Sequence, residues 1–322
     1  MGEFDLIDHF FKRPTARADL GIGDDCALLS PRPGHQLALS TDMLVEGRHF
    51  LSTVDPAALG HKALAVNLSD LAACGAQPRA FLLSLSLPRA DEAWLAGFSR
   101  GLLALADTHG CELVGGDTTQ GPLNISITVI GDIPQGQALL RSGAHAGDDI
   151  YVSGTLGDAR LALEVFRGQL SLSEAAFGIC RARMERPTPR AALGMALRGV
   201  ASAAADISDG LLGDLGHILQ QSGVGAIVHT DRCEALLSCR HEAALTLEWV
   251  RTCVLSGGDD YELVFTAPPS LRDAVQVAAQ QSQTAVTRIG SVLASSGIEL
   301  LDADQRRVTT RFASFDHFSA RT

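Results

Sequence analysis

Leu37, Leu39 and Thr41 alternate with Ala38 and Ser40, and this period of two predicts a strand that delivers Asp42 at its C-terminal end. Asp55-Pro56 reads as a helix start, an N-cap followed by proline at the first helical position, and the helix is expected to run to about Gly75. Phe81, Leu83, Leu85 and Leu87 again recur at every second residue and predict another strand. Asp91 to Thr108 reads as a second helix, and Cys111 to Val114 and Asn124 to Ile130 as two more short strands. The mixture predicts an α/β chain with α+β layering. The stretch R-S-G-A-H-A-G at 141–147 is small and glycine-rich, follows the loop P-Q-G-Q at 134–137, and precedes a new strand at 150–153 that opens a second strand–helix series. The expected domains are therefore 1–138 and 139–322. R-P-T-P-R at 186–190 reads as a loop inside the second domain.

Of the 322 residues 46% are apolar and 20% charged, so a core can form without disulfides or metal as staples. No apolar run of about 18 residues is present, which predicts no membrane-spanning helix and no membrane partner. The acidic start M-G-E-F-D-L-I-D-H-F lacks the pattern of a secretory leader. The seven cysteines are never spaced C-x-x-C and read as reduced packing residues, which points to the cytoplasm. A net charge of −11 excludes nucleic acid as a partner. Of the 37 acidic residues 25 are Asp, whereas Lys12 and Lys62 are the only lysines. Asp suits turns and caps, so position has to decide what the excess means.

Position is informative. G-I-G-D-D at 21–25, S-T-D at 40–42, G-G-D-T-T at 115–119, D-I-S-D-G at 206–210 and S-G-G-D-D at 256–260 each place Asp at what reads as a sharp turn beside an apolar segment. Asp70 stands inside A-L-A-V-N-L-S-D-L-A-A-C at 63–74, three residues after Asn67 and on its face. A carboxylate in so apolar a helix needs a partner or a proton. Several such carboxylates in one pocket repel one another by roughly 4 kcal/mol per pair at 4 Å unless cations intervene. Magnesium, which takes oxygen ligands and substrate phosphates, fits better than scarce lysine. There is no G-x-x-x-x-G-K-[ST] loop, no H-R-D or D-F-G, and no G-x-S-x-G. A phosphate-binding enzyme of this sequence has to rely on magnesium, main-chain amides and Arg.

The segments G-I-G-D-D-C-A-L-L (21–29), S-T-D-M-L-V-E-G-R-H-F (40–50), N-L-S-D-L-A-A-C-G-A (67–76), G-G-D-T-T (115–119), R-S-G-A (141–144), D-I-S-D-G-L (206–211), S-G-G-D-D-Y-E-L (256–263) and D-H-F (316–318) occur in this order over nearly the whole chain. The set resembles the thiamine-monophosphate kinase family. The resemblance implies direct transfer of the ATP γ-phosphoryl group to thiamine phosphate, giving thiamine diphosphate, with several magnesium ions. It also implies the two-domain fold of aminoimidazole ribonucleotide synthetase, with a homodimer formed through the N-terminal sheet. Carried over, the family pattern makes Asp25, Asp42, Asp70, Asp117, Asp206 and Asp209 magnesium ligands, assisted by Ser40 and Thr41 through hydroxyl or main-chain oxygen. Gly116, Asp117, Arg141 and Ser208 are expected to contact ATP. His49, Asp259 and Phe315 are expected to line the thiamine monophosphate site. No covalent or general-base residue is implied, because the acceptor oxygen is already anionic.

Other acidic residues have plain structural readings. Asp24 can stabilise its own turn, Asp148 and Asp149 can form a turn before the strand at 150, Asp214 can be solvated on its helix, and Asp260 can cap a loop. His49 and Phe315 can be packing residues. Where this chain has Asp259 the family frequently carries Glu, and Thr108 and His109 stand where the family often has aromatics. The rival readings are another ATP-using enzyme of the same superfamily, a metal-dependent phosphatase, and a non-catalytic sensor of thiamine phosphates. A selenophosphate synthetase is disfavoured, because neither lysine closely follows a cysteine near a glycine-rich N-terminus.

Overall fold

The computed structural model describes residues 2–310 and 312, and the chain divides into two compact units, Met1–Leu71 with Ala76–Ala138, and Ala72–Gly75 with Leu139–Thr322. The first contains α1 (Glu3–Phe10), β1 (His35–Val45), α2 (Pro56–Ala73), β2 (Gln77–Leu87), α3 (Glu92–His109), β3 (Glu112–Gln120) and β4 (Asn124–Pro134). Its sheet has the order β1-β4-β2-β3. The β2–β3 pair is parallel because α3 carries the chain back between them, and the other pairs are antiparallel. Both long helices begin as the sequence predicts: Asp55 Oδ1 accepts from Ala58 N at 3.0 Å, and Asp91 caps α3 through Trp94 N at 3.1 Å.

Two sequence expectations are corrected here. Asp42 does not end its strand, since β1 continues to Val45. G-G-D-T-T is no turn but the middle of β3, in register with Leu82 to Ser86 of β2. Gly116 makes this fit possible: at φ 146° a Cβ there would overlap the carbonyl of Leu83.

The second unit contains β5 (Asp149–Ser153), α4 (Asp158–Phe166), α5 (Glu174–Glu185), α6 (Ala191–Ala196), β6 (Ala203–Ile207), α7 (Leu211–Ser222), β7 (Gly225–His229), α8 (Thr230–Glu234), α9 (Leu247–Ser256), β8 (Glu262–Ala267), α10 (Arg272–Gln281), β9 (Val286–Leu293) and β10 (Gly297–Leu301). The sheet order is β10-β7-β9-β5-β8-β6. Strands β5, β6 and β8 are buried along their whole length, so both sheet faces are covered. Their side chains alternate between two cores. Ile150, Val152, Ala205 and Val264 join residues of α4, α5, α7 and α9, whereas Tyr151, Ala204, Leu263 and Phe265 join residues of α6 and α10.

The structural reading of Asp148 and Asp149 holds. Asp148 accepts from His145 N and Ser202 Oγ, and Asp149 is bridged by Arg272 and Arg288. Burial pushes the Asp149 carboxyl up, but the hydrogen bonds from both guanidiniums outweigh it and hold the group below its ordinary range. All seven cysteines are free thiols, five of them buried.

Candidate functional site

In the first unit α2 and β1 are joined by side chains at matched spacings, every second residue on the strand and every third on the helix. Ser40 Oγ donates to Asp70 Oδ2 at 2.5 Å, and Asp42 N donates to Asn67 Oδ1 at 3.0 Å. Asn67 is fully buried and donates its own amide to Ala63 O. Ser40, Asp42 and Asp70 therefore share one face of the sheet, and Asn67 fixes the main chain of Asp42. Asn67 was legible in sequence only as the neighbour of Asp70 on the helix; its hold on β1 was missed.

Thr41 points to the other face, where its hydroxyl donates to Ile127 O and accepts from Thr128 Oγ1. The Thr41 hydroxyl is therefore turned away from Ser40 and Asp42. Asp117 also lies on this other face, in the row formed by Met43, Ser126, Ser84 and Asp117. The strand order puts Asp42 and Asp117 on opposite edges, about 14 Å apart over three strand spacings. Within one chain these two carboxylates stand on opposite faces and opposite edges of the sheet, not in one convergent cluster.

The G-I-G-D-D segment is held against the Thr41 face too. Ala18, Ala27 and Leu29 pack over Ala80, Val114 and Ile130, and Ile130 is paired in register with Leu39. Glu112 secures this segment by accepting from the main-chain N–H groups of Ala16, Arg17 and Ala18. Asp24 accepts from Asp25 N at 2.8 Å, which is the turn role expected of it, and leaves Asp25 exposed. His49 Nδ1 accepts from Val45 N at 3.0 Å, so its ring proton is on Nε2.

In the second unit two acidic motifs are fastened together. D-I-S-D-G begins in the last two residues of β6 and runs into the loop beyond it, and S-G-G-D-D precedes β8, its antiparallel neighbour. Asp259 N donates to Ser208 O at 2.8 Å and Tyr261 N to Ile207 O at 2.9 Å. Gly258 has φ 72°, and a Cβ on it would stand 2.6 Å from Ser208 O, so only glycine permits this approach. Asp259 and Tyr261 are themselves left-handed, at φ 64° and 52°. Asp206 is buried on β6, and Ser208 and Asp209 are half-buried in the loop beyond it.

Two carboxylates anchor this pair of loops. Asp260 is buried, and both its oxygens lie 3.0 Å from Gly157 N at the start of α4. Burial pushes its carboxyl well above the ordinary range, against the lowering effect of that N–H. It is a cap, as its structural reading had it. Asp214 is not solvated, contrary to expectation. It is 3% exposed and accepts from the N–H groups of Ser208, Asp209 and Gly210, each at 3.1 Å. Burial, then the charge of Asp209, pushes its carboxyl up to about 7 against those three bonds.

Arg141 is not beside Ser208. Ser222 Oγ, at the end of α7, donates to Arg141 O and accepts from Gly143 N and Ala144 N. That fixes the R-S-G-A loop about 18 Å along the helix from Gly210, with the Arg141 side chain exposed. Phe315 lies outside the described residues.

The donor chemistry suits a hard cation, since Ser40, Asp42 and Asp70 in one unit and Asp206 and Asp209 in the other offer only oxygen. Sequence reasoning also missed a buried trio, Asp158, Cys180 and Cys239, whose ligand atoms lie within 4.8 Å of one another. Asp158 there already accepts from Ser238 N, Ser238 Oγ and Thr155 Oγ1. Burial raises its carboxyl and both thiols, so the trio reads as packing rather than as an ion site.

Residues 23–133 match the family described as AIR synthase related protein, N-terminal domain, and residues 145–302 match AIR synthase related protein, C-terminal domain. The chain is 48% identical to the thiamine-monophosphate kinase of Salmonella typhimurium, over 99% of this chain and 98% of that protein. Among solved structures it resembles the thiamine-monophosphate kinase of Stenotrophomonas maltophilia, with TM-score 0.83 and 48% identity over 88% of this chain and 91% of that one. It also resembles AaThiL complexed with AMPPCP and TMP, with TM-score 0.75 and 31% identity over 90% of this chain and 89% of that one.

Proposed function

The chain belongs to the thiamine-monophosphate kinase family, within the AIR synthase related proteins, and from that premise we propose that it transfers the γ-phosphoryl group of ATP in line to thiamine monophosphate, giving thiamine diphosphate and ADP. One contact carries the reading. Ser208 is the residue assigned to ATP and Asp259 the one assigned to thiamine monophosphate, and the 2.8 Å bond between their main chains holds the donor and acceptor loops in fixed register. Transfer between two phosphates needs alignment and neutralised charge more than a base, because the attacking oxygen is already anionic. The loop pair supplies alignment. Magnesium, when bound, supplies positive charge between the two phosphorylated ligands. Its proposed holders are Asp25, Ser40, Asp42, Asp70, Asp117, Asp206 and Asp209, with Thr41 through its hydroxyl or main-chain oxygen. Gly116, Asp117 and Arg141 are assigned to ATP beside Ser208. ATP is an extended molecule, so Arg141 and Ser208 serve different parts of it. His49, Asp259 and Phe315 are assigned to thiamine monophosphate, and an aromatic ring suits its cationic thiamine.

The purified protein with ATP, magnesium and thiamine monophosphate is expected to form thiamine diphosphate and ADP in equal amounts. Inorganic phosphate released in place of thiamine diphosphate would make it a phosphatase, and binding without turnover a sensor.

The proposal includes a homodimer formed through the first unit. On β1, Leu37, Leu39 and Met43 are 39%, 64% and 53% exposed on one face, an apolar stripe on an open edge strand. A second copy also offers a route by which a carboxylate on one sheet edge, Asp117, can serve a site containing Asp42 on the other. Light scattering on the purified chain is expected to give twice the mass of 33.9 kDa, and Leu39→Glu to shift it toward monomer. A wild-type monomer at micromolar concentration would remove this part of the proposal. No helix among the described residues is long and apolar enough to cross a membrane, and the free cysteines suit a cytoplasmic location.

A further inference from the structure

Asp214 lies in the first turn of α7, yet its carboxylate serves none of the N–H groups of that turn. The three N–H groups that it accepts belong to Ser208, Asp209 and Gly210, all ahead of the helix, and all three converge on the single oxygen Oδ2. Asp214 N donates in turn to Gly210 O at 3.1 Å, closing the loop onto the residue that organises it. Successive N–H groups converging in this way form a concavity that attracts an anion. Here the anion is part of the chain and is buried. With its amides turned inward onto Asp214, the loop is held by its main chain, and the side chains of Ser208 and Asp209 take no part in these three bonds. The opposite side of the loop is fixed independently, by Ser208 O and Ile207 O accepting from the chain around Asp259.

We propose that Asp214 is a positioning residue: its carboxylate sets the main chain of 208–210 so that Ser208 and Asp209 meet ATP and magnesium. The role rests on the assignment of those two residues given above.

Asp214→Asn keeps the size and an acceptor oxygen but removes the negative charge, and Asp214→Ala removes the acceptor. Steady-state kinetics on the whole chain are read beside calorimetric titration with magnesium and a non-hydrolysable ATP analogue, with circular dichroism as the control for folding. Asp214→Asn is expected to stay folded and to raise the KM for magnesium-ATP about tenfold, with a matching loss of analogue affinity and less than about threefold change in the KM for thiamine monophosphate. Asp214→Ala is expected to show the same pattern more strongly. Wild-type analogue affinity in Asp214→Asn would overturn the proposal. So would unfolding of both variants, which would make the carboxylate a support of the fold and nothing more. An inactive wild type would sink the kinase reading, whereas the analogue titration would still test Asp214.

Discussion

Asp70→Asn is expected to lower kcat by about a hundredfold or more at any magnesium concentration while leaving the fold intact. The asparagine has the same shape and keeps an oxygen to accept the Ser40 hydroxyl that now reaches Asp70 Oδ2 at 2.5 Å. The second tie between helix and strand, from Asp42 N to Asn67, is untouched. What the substitution removes is the negative charge on the face shared with Asp42. A hard divalent ion bound there loses an anionic oxygen and gains a neutral one, which weakens its hold and its placement together. Turnover assays with magnesium varied up to saturation, read beside thermal melting, check this. Near-normal turnover at saturating magnesium would return Asp70 to the structural residues, as a hydrogen-bond acceptor that fastens α2 to β1.

Asp70 was legible because it broke a local rule: a carboxylate in an apolar helix signals a need that the helix itself does not meet. The caps at Asp55 and Asp91 were legible for the same reason of locality, since a cap is chemistry between residues three apart. Most of the failures concern relations over long sequence distances. G-G-D-T-T carries the composition of a turn, but pairing with β2 overrides that preference, and Gly116 is there for the Leu83 carbonyl rather than for a bend. The solvated reading of Asp214 followed from helix position alone; its burial depends on how α7 meets the rest of its unit. Nor does sequence order reveal sheet order. Asp42 and Asp117 both read as acidic residues at strand ends, and only the arrangement β1-β4-β2-β3 separates them to opposite edges.

The largest effect on stability is expected from Glu262→Ala, a residue that carries no assigned contact with either substrate. Glu262 is 0% exposed and accepts from Ser153 Oγ, from Arg183 Nη2 at 2.7 Å and from Arg190 through Nε and Nη2. Removing the carboxylate leaves two largely buried guanidiniums facing each other without an anion. Breaking a buried pair from one side costs about 3–5 kcal/mol, a large part of the roughly 5–15 kcal/mol that holds a domain together. Chemical unfolding followed by Trp249 of α9 in a Trp94→Phe background reads the second unit alone, and Glu262→Gln, which keeps an acceptor, is expected to fall between wild type and Glu262→Ala. A loss below about 1 kcal/mol would mean that water or rearranged arginines replace the carboxylate. Activity should follow by a second route. Glu262 begins β8 directly after Asp259 and Tyr261, whose left-handed backbones cost roughly 1–2 kcal/mol each and persist only while both ends of the segment are held. One end is held by Asp259 N on Ser208 O, with Asp260 on Gly157 beside it, and the other by Glu262 on its arginines. Releasing the second lets Asp259 relax, so in whatever fraction of Glu262→Ala remains folded the KM for thiamine monophosphate should rise by more than that for ATP, the reverse of the order expected for Asp214.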